Sequence, residues 1–229
     1  TELEDALSAT GSHTFKINSD QSNIVRLDPA AWIDAGGFGK GIALRLAADT
    51  LRARGGSGVL DLGGQLVVVG DTFHQIDILG PGGRLPACLT KRTSPTQSVI
   101  VSNTSVATSG LSERVVVTEQ KRLGHILDPR NGQPAIDWGV VTVAAEDPLV
   151  ADVLSTALFV LGPEQGMQLA ERLASIGVLL QEHPLRSRTS EVACATGSPG
   201  SSGVMHTNEK MQELLFGTSL PRYKNIGQL

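Results

Sequence analysis

Residues 34–41 combine the residue types that suit a phosphate-binding turn. Four glycines, a lysine and an aspartate lie in this stretch, directly before a helical pattern. Glycine lets the backbone turn tightly and approach a ligand, and the first N–H groups of a following helix point outward toward an anion. Lys40 adds a mobile positive charge. The stretch therefore predicts a site for phosphate, with a plain strand-to-helix turn carrying a surface lysine as the alternative.

Neither of two common nucleotide-binding motifs fits this loop. The pattern G-x-x-x-x-G-K-[ST] needs glycine where Asp34 stands and serine or threonine where Gly41 stands. The dinucleotide pattern G-x-G-x-x-G fails as well, because Ile42 occupies the place of its last glycine. A phosphate site at this loop would therefore belong to neither of these two motif classes.

A second group with chemical potential lies far along the chain. Asp152 and Thr156 are one turn apart on a predicted helix over 147–161, so their side chains share a face. Carboxylate and hydroxyl oxygens are hard ligands that suit Mg²⁺, with phosphate oxygens completing its shell. The alternative is an acid favoured by the helix dipole and an exposed threonine. The predicted core face of this helix is the opposite one: Val150, Leu154, Ala157, Leu158 and Leu161.

Composition limits the function classes that need to be considered. Apolar residues make up 40% of the 229 residues, enough for a sizeable core, and the net charge of −4 argues against a general nucleic-acid binder. No apolar run is long enough for a membrane span. Residues 1–19 lack a signal-peptide pattern, and the compartment stays open. Cys88 and Cys194 form neither a zinc pattern nor a disulfide framework.

The elements that must position these groups are mainly short strands, with a few helices. Together they predict an α+β fold, an antiparallel-rich sheet packed by helices. We expect a flexible N-terminus over 1–12, a core over 13–181 and a partly flexible C-terminal extension over 182–229. The predicted strands are 13–18, 23–28, 59–62, 65–70, 74–79, 98–102, 114–118, 124–127, 138–145 and 178–181; the predicted helices are 39–54, 147–161, 163–176 and 208–216; the predicted irregular segments are 80–97 and 186–206.

Several motifs, in this order, resemble those of one family. The loop at 34–41 is followed by L-G-G at 62–64, A-T-S-G at 107–110, H-I-L-D-P at 125–129 and A-D-V-L-S-T-A at 151–157. They are similar to motifs of the ApbE-like flavin transferases, also called FAD:protein FMN transferases. The resemblance covers about residues 13–181, and its strength lies in the shared order of motifs that are individually weak.

The resemblance implies an enzyme that uses Mg²⁺ and takes FAD as its substrate. A Ser or Thr hydroxyl of an acceptor protein would attack the phosphorus on the FMN side, AMP would leave, and FMN would remain as a phosphoester. Two alternatives stay open. One is an FAD pyrophosphatase that gives FMN and AMP, and the other is a non-catalytic flavin-nucleotide-binding or degenerate member.

By position, the resemblance also implies site residues. A metal site would use Asp152 and Thr156 with a loop carbonyl such as that of Gly37, and His125 would be the base for the acceptor hydroxyl. The alternative for His125 is a strand residue paired across the sheet. The residues implied in FAD binding are Asp34, Gly36, Gly37, Lys40, Thr108, Ser109 and the main chain of Ile126.

Three positions or regions depart from the family pattern. The family has a longer N-terminal portion before the hairpin, which helps to cover adenine and flavin, and this sequence starts too late to include it. Gln65 stands where an acid often follows L-G-G, and Ile42 stands where an aromatic residue often follows K-G. We therefore expect FAD affinity to be the property most affected.

Overall fold

The architecture comes from a computed structural model that describes residues 1–20, 22–78, 80–81, 97–111, 115–117, 122–183 and 204–216. Its helices are α1 (Glu2–Ser8), α2 (Gly39–Ala53), α3 (Pro148–Ala170) and α4 (Glu209–Phe216). Its strands are β1 (Phe15–Ile17), β2 (Ile24–Arg26), β3 (Gly58–Leu62), β4 (Gln65–Val69), β5 (His74–Ile78), β6 (Gln97–Val101), β7 (Ser105–Gly110), β8 (Val115–Val117), β9 (Arg122–Gly124), β10 (Leu127–Asp128), β11 (Gln133–Pro134), β12 (Gly139–Ala145), β13 (Gly177–Glu182) and β14 (Met205–Thr207).

A six-stranded sheet forms the centre, in the order β14-β13-β12-β7-β4-β3, with every neighbouring pair antiparallel. The remaining strands pair as hairpins: β1–β2, β5–β6, β8–β9 and β10–β11. This confirms the predicted α+β class with its antiparallel-rich sheet. No helix among the described residues is both long and apolar enough to cross a membrane.

Both faces of the central sheet are covered, which explains the valine-rich run of β12. Val141 and Val143 pack in the cluster that includes α3, whereas Ala144 packs in the cluster with Met211 of α4. Successive side chains of a strand point to opposite faces, so a strand covered on both sides is apolar throughout. All seven residues of β12 are accordingly buried.

Helix α2 packs on β4 and against α3. Leu44 and Ala48 of α2 are buried with Val67 and Val69 of β4. Ala43 and Ala47 of the same helix are exposed. The glycine loop thus leads into a helix whose start lies over the beginning of α3.

Helix α3 corrects a prediction about its inner face. Asp152, Ser155 and Phe159 are among its buried residues, while Ala157, assigned to the core stripe, is exposed. The reason is that two partners, the central sheet and α2, cover this helix from different sides. The surface that carries Asp152 consequently faces protein rather than solvent.

The break between the two helices predicted for this region is present. Gly162 has a left-handed φ of 82° and a ψ of 174°, and Pro163 follows it inside the continuous element α3. Glycine tolerates such a φ, and proline suits the first turn of the segment after it. The second segment ends at Ala170 rather than at the predicted residue 176.

Three local predictions differ from the structure. Residues 2–8 form a helix where we expected no element, and Thr1 caps it in a capping box with Glu4. The segment 105–110 is a central strand, β7, although its small and hydroxyl side chains give no strand pattern. The predicted strand 124–127 is interrupted, because His125 and Ile126 lie between β9 and β10.

Asn208 fastens the C-terminal elements to the core. Its side-chain oxygen accepts hydrogen bonds from the N–H groups of Val178 and Met211, both at 3.0 Å. Its amide nitrogen donates to the carbonyls of Ala170 at 3.2 Å and Ile176 at 2.7 Å. One buried side chain therefore joins α4, β13 and the end of α3.

Some predictions fall wholly or partly outside the described residues. These are Cys88, Cys194, most of the predicted irregular segment 80–97 and residues 186–203 of the segment 186–206. The division at residues 12 and 181 stays a prediction, although β14 and α4 pack on the same sheet as the rest.

Candidate functional site

Asp152 lies at the contact between the starts of α2 and α3. The residue is 3% exposed, and its Oδ2 accepts a hydrogen bond of 2.8 Å from the N–H of Gly41 in the first turn of α2. Its Oδ1 lies 3.7 Å from Nζ of Lys40, whose side chain is 40% exposed. The two groups that the sequence singled out, 111 residues apart, therefore meet in space.

This contact depends on the absence of a side chain at Gly41. A Cβ there would lie 2.7 Å from both Cα of Leu149 and the carbonyl oxygen of Pro148, and 2.9 Å from Cβ of Asp152. Such distances are far inside van der Waals contact. Gly41 is thus required for the close approach of α2 to α3 that brings its N–H within reach of the carboxylate.

The glycine loop before α2 is already partly hydrogen-bonded. Oδ1 of Asp34 accepts from the N–H of Gly36 at 2.7 Å, and the carbonyl of Ala35 accepts from the N–H of Gly39 at 2.7 Å. The sequence predicts that the N–H groups of this loop and of the first turn of α2 are available to bind an anion. Those of Gly36 and Gly41 instead bind carboxylates of the chain itself.

Three hydroxyls connect α3 to β7 beside Asp152. Ser109 Oγ lies 2.8 Å from Ser155 Oγ and 3.2 Å from Thr156 Oγ1. The oxygens of Ser155 and Thr156 also lie 2.9 Å and 3.4 Å from the carbonyl of Asp152, to which either hydroxyl can donate. In each Ser109 contact either hydroxyl can be the donor. The three hydroxyls therefore form one hydrogen-bonded cluster beside Asp152.

Gly37 borders this cluster. A Cβ at Gly37 would lie 3.8 Å from Cγ2 of Thr156, an ordinary van der Waals distance. The structure therefore brings together Gly37, Lys40, Ser109, Asp152 and Thr156 in one region.

Thr108 does not join this region through its side chain. Its hydroxyl lies 2.9 Å from that of Thr142, on the face of the sheet opposite to Ser109. The resemblance implies both residues in FAD binding, but their neighbouring positions on one strand point their side chains to opposite faces. A role of Thr108 in FAD binding stays a prediction.

His125 is exposed in a bend between β9 and β10. His125 therefore lies outside the strands that the structure describes. Ile126 beside it packs on the core cluster of α3, and its carbonyl accepts a hydrogen bond of 2.9 Å from the N–H of Ala135.

The turn after His125 is fixed by an ion pair. Arg130 binds both carboxylate oxygens of Asp128, with Nε to Oδ1 at 2.8 Å and Nη2 to Oδ2 at 2.7 Å. Hydrogen bonds from Arg130 lower the pKa of Asp128 below the ordinary value of an aspartate, and the pKa of Arg130 is raised by the same pair. The D-P-R turn is thus held in one geometry.

Gln65 is a buried site neighbour that the sequence indicated only as a departure from the family pattern. It is 1% exposed, and its Nε2 donates to the carbonyl of Pro148 at 2.8 Å. Its Oε1 is buried and has no hydrogen-bond partner among the described residues. Pro148 begins α3, so Gln65 links the start of β4 to the helix that carries Asp152.

Two cavities lie away from this region. The larger, about 840 Å³, lies between the end of α3 and the start of α4, and the smaller, about 330 Å³, lies beside β6 and α4. None of the predicted site residues lines either one. Both cavities therefore lie apart from the contact between Lys40 and Asp152.

Comparison with known proteins identifies the family behind this arrangement. The model of the ApbE family matches residues 1–180. The chain belongs to the ApbE family. This match confirms the resemblance that the order of the motifs indicated.

Individual ApbE relatives are similar over much of the chain. A FAD:protein FMN transferase of Escherichia coli (strain K12) is 30% identical over 177 residues, covering 73% of this chain and 48% of the relative. One of Klebsiella pneumoniae (strain 342) is 33% identical over 140 residues, covering 60% and 42%. The chain thus spans about half the length of these curated relatives.

Solved ApbE structures share the fold. The ApbE protein from Thermotoga maritima has a TM-score of 0.71 and 25% identity, covering 93% of this chain and 63% of that one. The apo flavinyl transferase ApbE of Pseudomonas stutzeri has a TM-score of 0.69 and 28% identity, covering 93% and 60%.

The donor set near Asp152 fits a hard cation. No three His, Cys, Asp or Glu side chains within the described ranges cluster closely enough to hold a metal. A site here would instead combine one carboxylate with hydroxyl and carbonyl oxygens and with oxygens of a bound phosphate. Such a mixed set, poor in charge, is the kind that holds Mg²⁺ together with a substrate diphosphate.

Proposed function

We propose that this ApbE chain contributes to the Mg²⁺-dependent transfer of FMN from FAD to a Ser or Thr hydroxyl of an acceptor protein, with release of AMP. The single observation that carries the proposal is the meeting of Lys40 and Asp152, 3.7 Å apart, at the first turn of α2. The names of the relatives supply the reaction class. Magnesium, the acceptor hydroxyl and the leaving AMP are inferences from the site's chemistry and from the family resemblance.

Phosphoryl transfer needs charge neutralisation and alignment more than covalent chemistry. Lys40 is half exposed and can bind a diphosphate oxygen without leaving its place beside Asp152. The glycine loop gives a ligand access to the backbone, because Gly37 has no side chain between the loop and Thr156.

Asp152, Thr156 and the carbonyl of Gly37 would hold Mg²⁺, which when bound would neutralise negative charge on the diphosphate. Asp152 is suited to this role because burial limits its motion, and the N–H of Gly41 orients one of its oxygens. Ser109 and Ser155 hold the hydroxyl of Thr156 within a hydrogen-bonded cluster beside Asp152.

His125 would take the proton of the acceptor hydroxyl as that oxygen attacks the phosphorus on the FMN side. An imidazole can accept a proton near neutral pH, and the exposed bend gives a protein substrate access. Asp34, Gly36, Ser109 and Ile126 would line the FAD site, as the resemblance implies.

The test is an incubation of the chain with FAD, Mg²⁺ and an acceptor protein carrying an exposed threonine motif. Flavin fluorescence that stays on the acceptor after denaturation supports transfer. Free FMN and AMP would instead indicate a pyrophosphatase, and FAD binding without either product would indicate a non-catalytic member. A matched variant, Arg52→Gln, changes an exposed arginine on the same helix as Lys40 and should react like wild type.

A further inference from the structure

The break in α3 leaves a backbone carbonyl in need of a partner. In a regular helix the N–H of each residue donates to the carbonyl four residues earlier. Pro163 has no N–H, so the carbonyl of Phe159 loses its helical donor. The left-handed φ of Gly162 also turns the chain away from helical geometry at this point.

Side chains from one other segment bind the carbonyls at this break. Nε1 of Trp138 donates to the carbonyl of Phe159 at 2.9 Å, and Nη2 of Arg130 donates to the carbonyl of Val160 at 3.2 Å. The Trp138 ring also stacks on the Phe159 ring, with centroids 5.5 Å apart and an interplanar angle of 18°. Both donors belong to residues 125–138, the segment that begins with His125.

This segment has little regular structure of its own. Its strands β10 and β11 are two residues each, and Leu127 and Ile136 are 57% and 81% exposed. A segment with so little regular structure opens more easily than a sheet or a helix unless it is tied to something rigid. The Asp128–Arg130 pair fixes the turn, and Arg130 extends that fixed turn to α3.

We infer that the Gly162–Pro163 break is a docking site for the segment 125–138, and that Arg130 and Trp138 are positioning residues for His125. The same helix carries Asp152 and Thr156, and Val160 is one turn beyond Thr156, about 6 Å along the axis. Helix α3 therefore sets the place of His125 relative to the metal-ligand pair. The inference rests on the proposed function in one respect: His125 must act on the acceptor hydroxyl for its position to affect turnover.

The first test separates catalysis from binding. Trp138→Phe keeps a ring to stack on Phe159 and removes the N–H donor. We expect its kcat for FMN transfer to fall on the order of tenfold to a hundredfold, as displaced catalytic groups do, with the FAD dissociation constant within about twofold of wild type. Arg52→Gln is the control. A wild-type kcat in Trp138→Phe would overturn the inference.

The second test uses Pro163→Ala, which returns an N–H that can compete with Trp138 for the Phe159 carbonyl. We expect the kcat for FMN transfer to fall in this variant as well. The Trp138→Phe/Pro163→Ala double variant should be no worse than the more impaired single variant, because both changes disrupt the same hydrogen bond from Trp138 to the Phe159 carbonyl. Fully additive losses would mean that the break and Trp138 act independently, and would overturn the docking site.

A readout without turnover distinguishes this inference from the proposed function. NMR resonances of the His125 ring, assigned by comparison with His125→Gln, should shift in Trp138→Phe and Pro163→Ala but not in Arg52→Gln. If wild type transfers no FMN, the proposed function fails while this shift still supports docking. Unchanged His125 resonances in both variants would overturn docking even in an active enzyme.

Discussion

The α2–α3 contact and the segment 125–138 are held in opposite ways. At the first, backbone approaches backbone so closely that Gly41 has no room for a Cβ, and Asp152 is almost fully buried. At the second, the side chains of Arg130 and Trp138 donate hydrogen bonds to backbone carbonyls at the break in α3. His125 itself is exposed. The first region is therefore held by close packing of two helices, and the second by a few side-chain hydrogen bonds.

This difference matches the tasks proposed for the two regions. A diphosphate and a metal ion need charges at fixed distances, which a rigid contact between two helices provides. An acceptor protein must reach the base from solvent, which requires an exposed segment that is nevertheless held in place. Changes at the contact should therefore affect stability and FAD binding, while changes in the segment should affect mainly turnover, with only a small effect on stability.

The largest expected effect concerns Asp152. Asp152→Asn keeps an oxygen to accept from the N–H of Gly41 but removes the charge, so the fold should survive. We expect FMN transfer in Mg²⁺ to fall by 10²-fold or more, because a metal ion contributes several kcal/mol at about 1.4 kcal/mol per factor of ten. Asp152→Ala should abolish metal-dependent turnover and also lose the helix contact. Rates measured against Mg²⁺ concentration test this, and normal activity in either variant would remove Asp152 from the metal site.

Gly41→Ala probes the shape of the contact. The new Cβ would meet backbone atoms at 2.7 Å, and backbone cannot rotate away as a side chain can. Overpacking of this kind destabilises by about 1–3 kcal/mol, partly offset by up to about 1 kcal/mol of helix propensity. Denaturant unfolding should therefore show a net loss, on the order of 1–2 kcal/mol. Gly37→Ala, whose Cβ has room at 3.8 Å, is the stability control and should differ from wild type by no more than about 0.5 kcal/mol.

Lys40→Ala should weaken FAD binding about tenfold, as expected for loss of a charged hydrogen bond of about 1.5 kcal/mol. Flavin fluorescence quenching gives the dissociation constant. Arg45→Ala is the matched control, since Arg45 lies on the same helix and pairs with Asp147 at 3.3 Å, outside the proposed FAD site. Equal dissociation constants for wild type and Lys40→Ala would take this lysine out of the site.

The smallest effect concerns pH and the segment 125–138. The pKa of Asp128 is lowered in the folded state, so the stability from its pair with Arg130 is present above the unfolded-state value near 3.8 and is lost as pH falls through the lower, folded value. Thermal unfolding should show Arg130→Gln slightly less stable than wild type at pH 7, with the difference shrinking as pH falls below 3.8 and vanishing below the folded-state pKa of Asp128. A difference that persists in acid would place the contribution of Arg130 elsewhere, for example in its bond to Val160.

Much of the site could be predicted because its signals are local. The glycine run before a helical pattern and Gly162 before Pro163 act through the backbone of their own segments. The acid and the threonine four residues apart share a face because of helix geometry alone. The antiparallel strands and the family could also be predicted. The central strand β7 could not, because its small hydroxyl residues are set by what packs on them, α3 and the neighbouring strands, and not by a pattern of their own.

The sequence by itself determined which residues could do chemistry and which family their order belongs to. Only the tertiary structure decided that Asp152 caps α2, that Thr108 and Ser109 point to opposite faces, and that Trp138 and Arg130 hold the His125 segment. The physical reason is that these contacts join residues distant along the chain, often through backbone atoms. Every residue has a backbone carbonyl and nearly every residue a backbone N–H. Residue type therefore does not indicate which of these backbone groups will bind a side chain from a distant part of the chain.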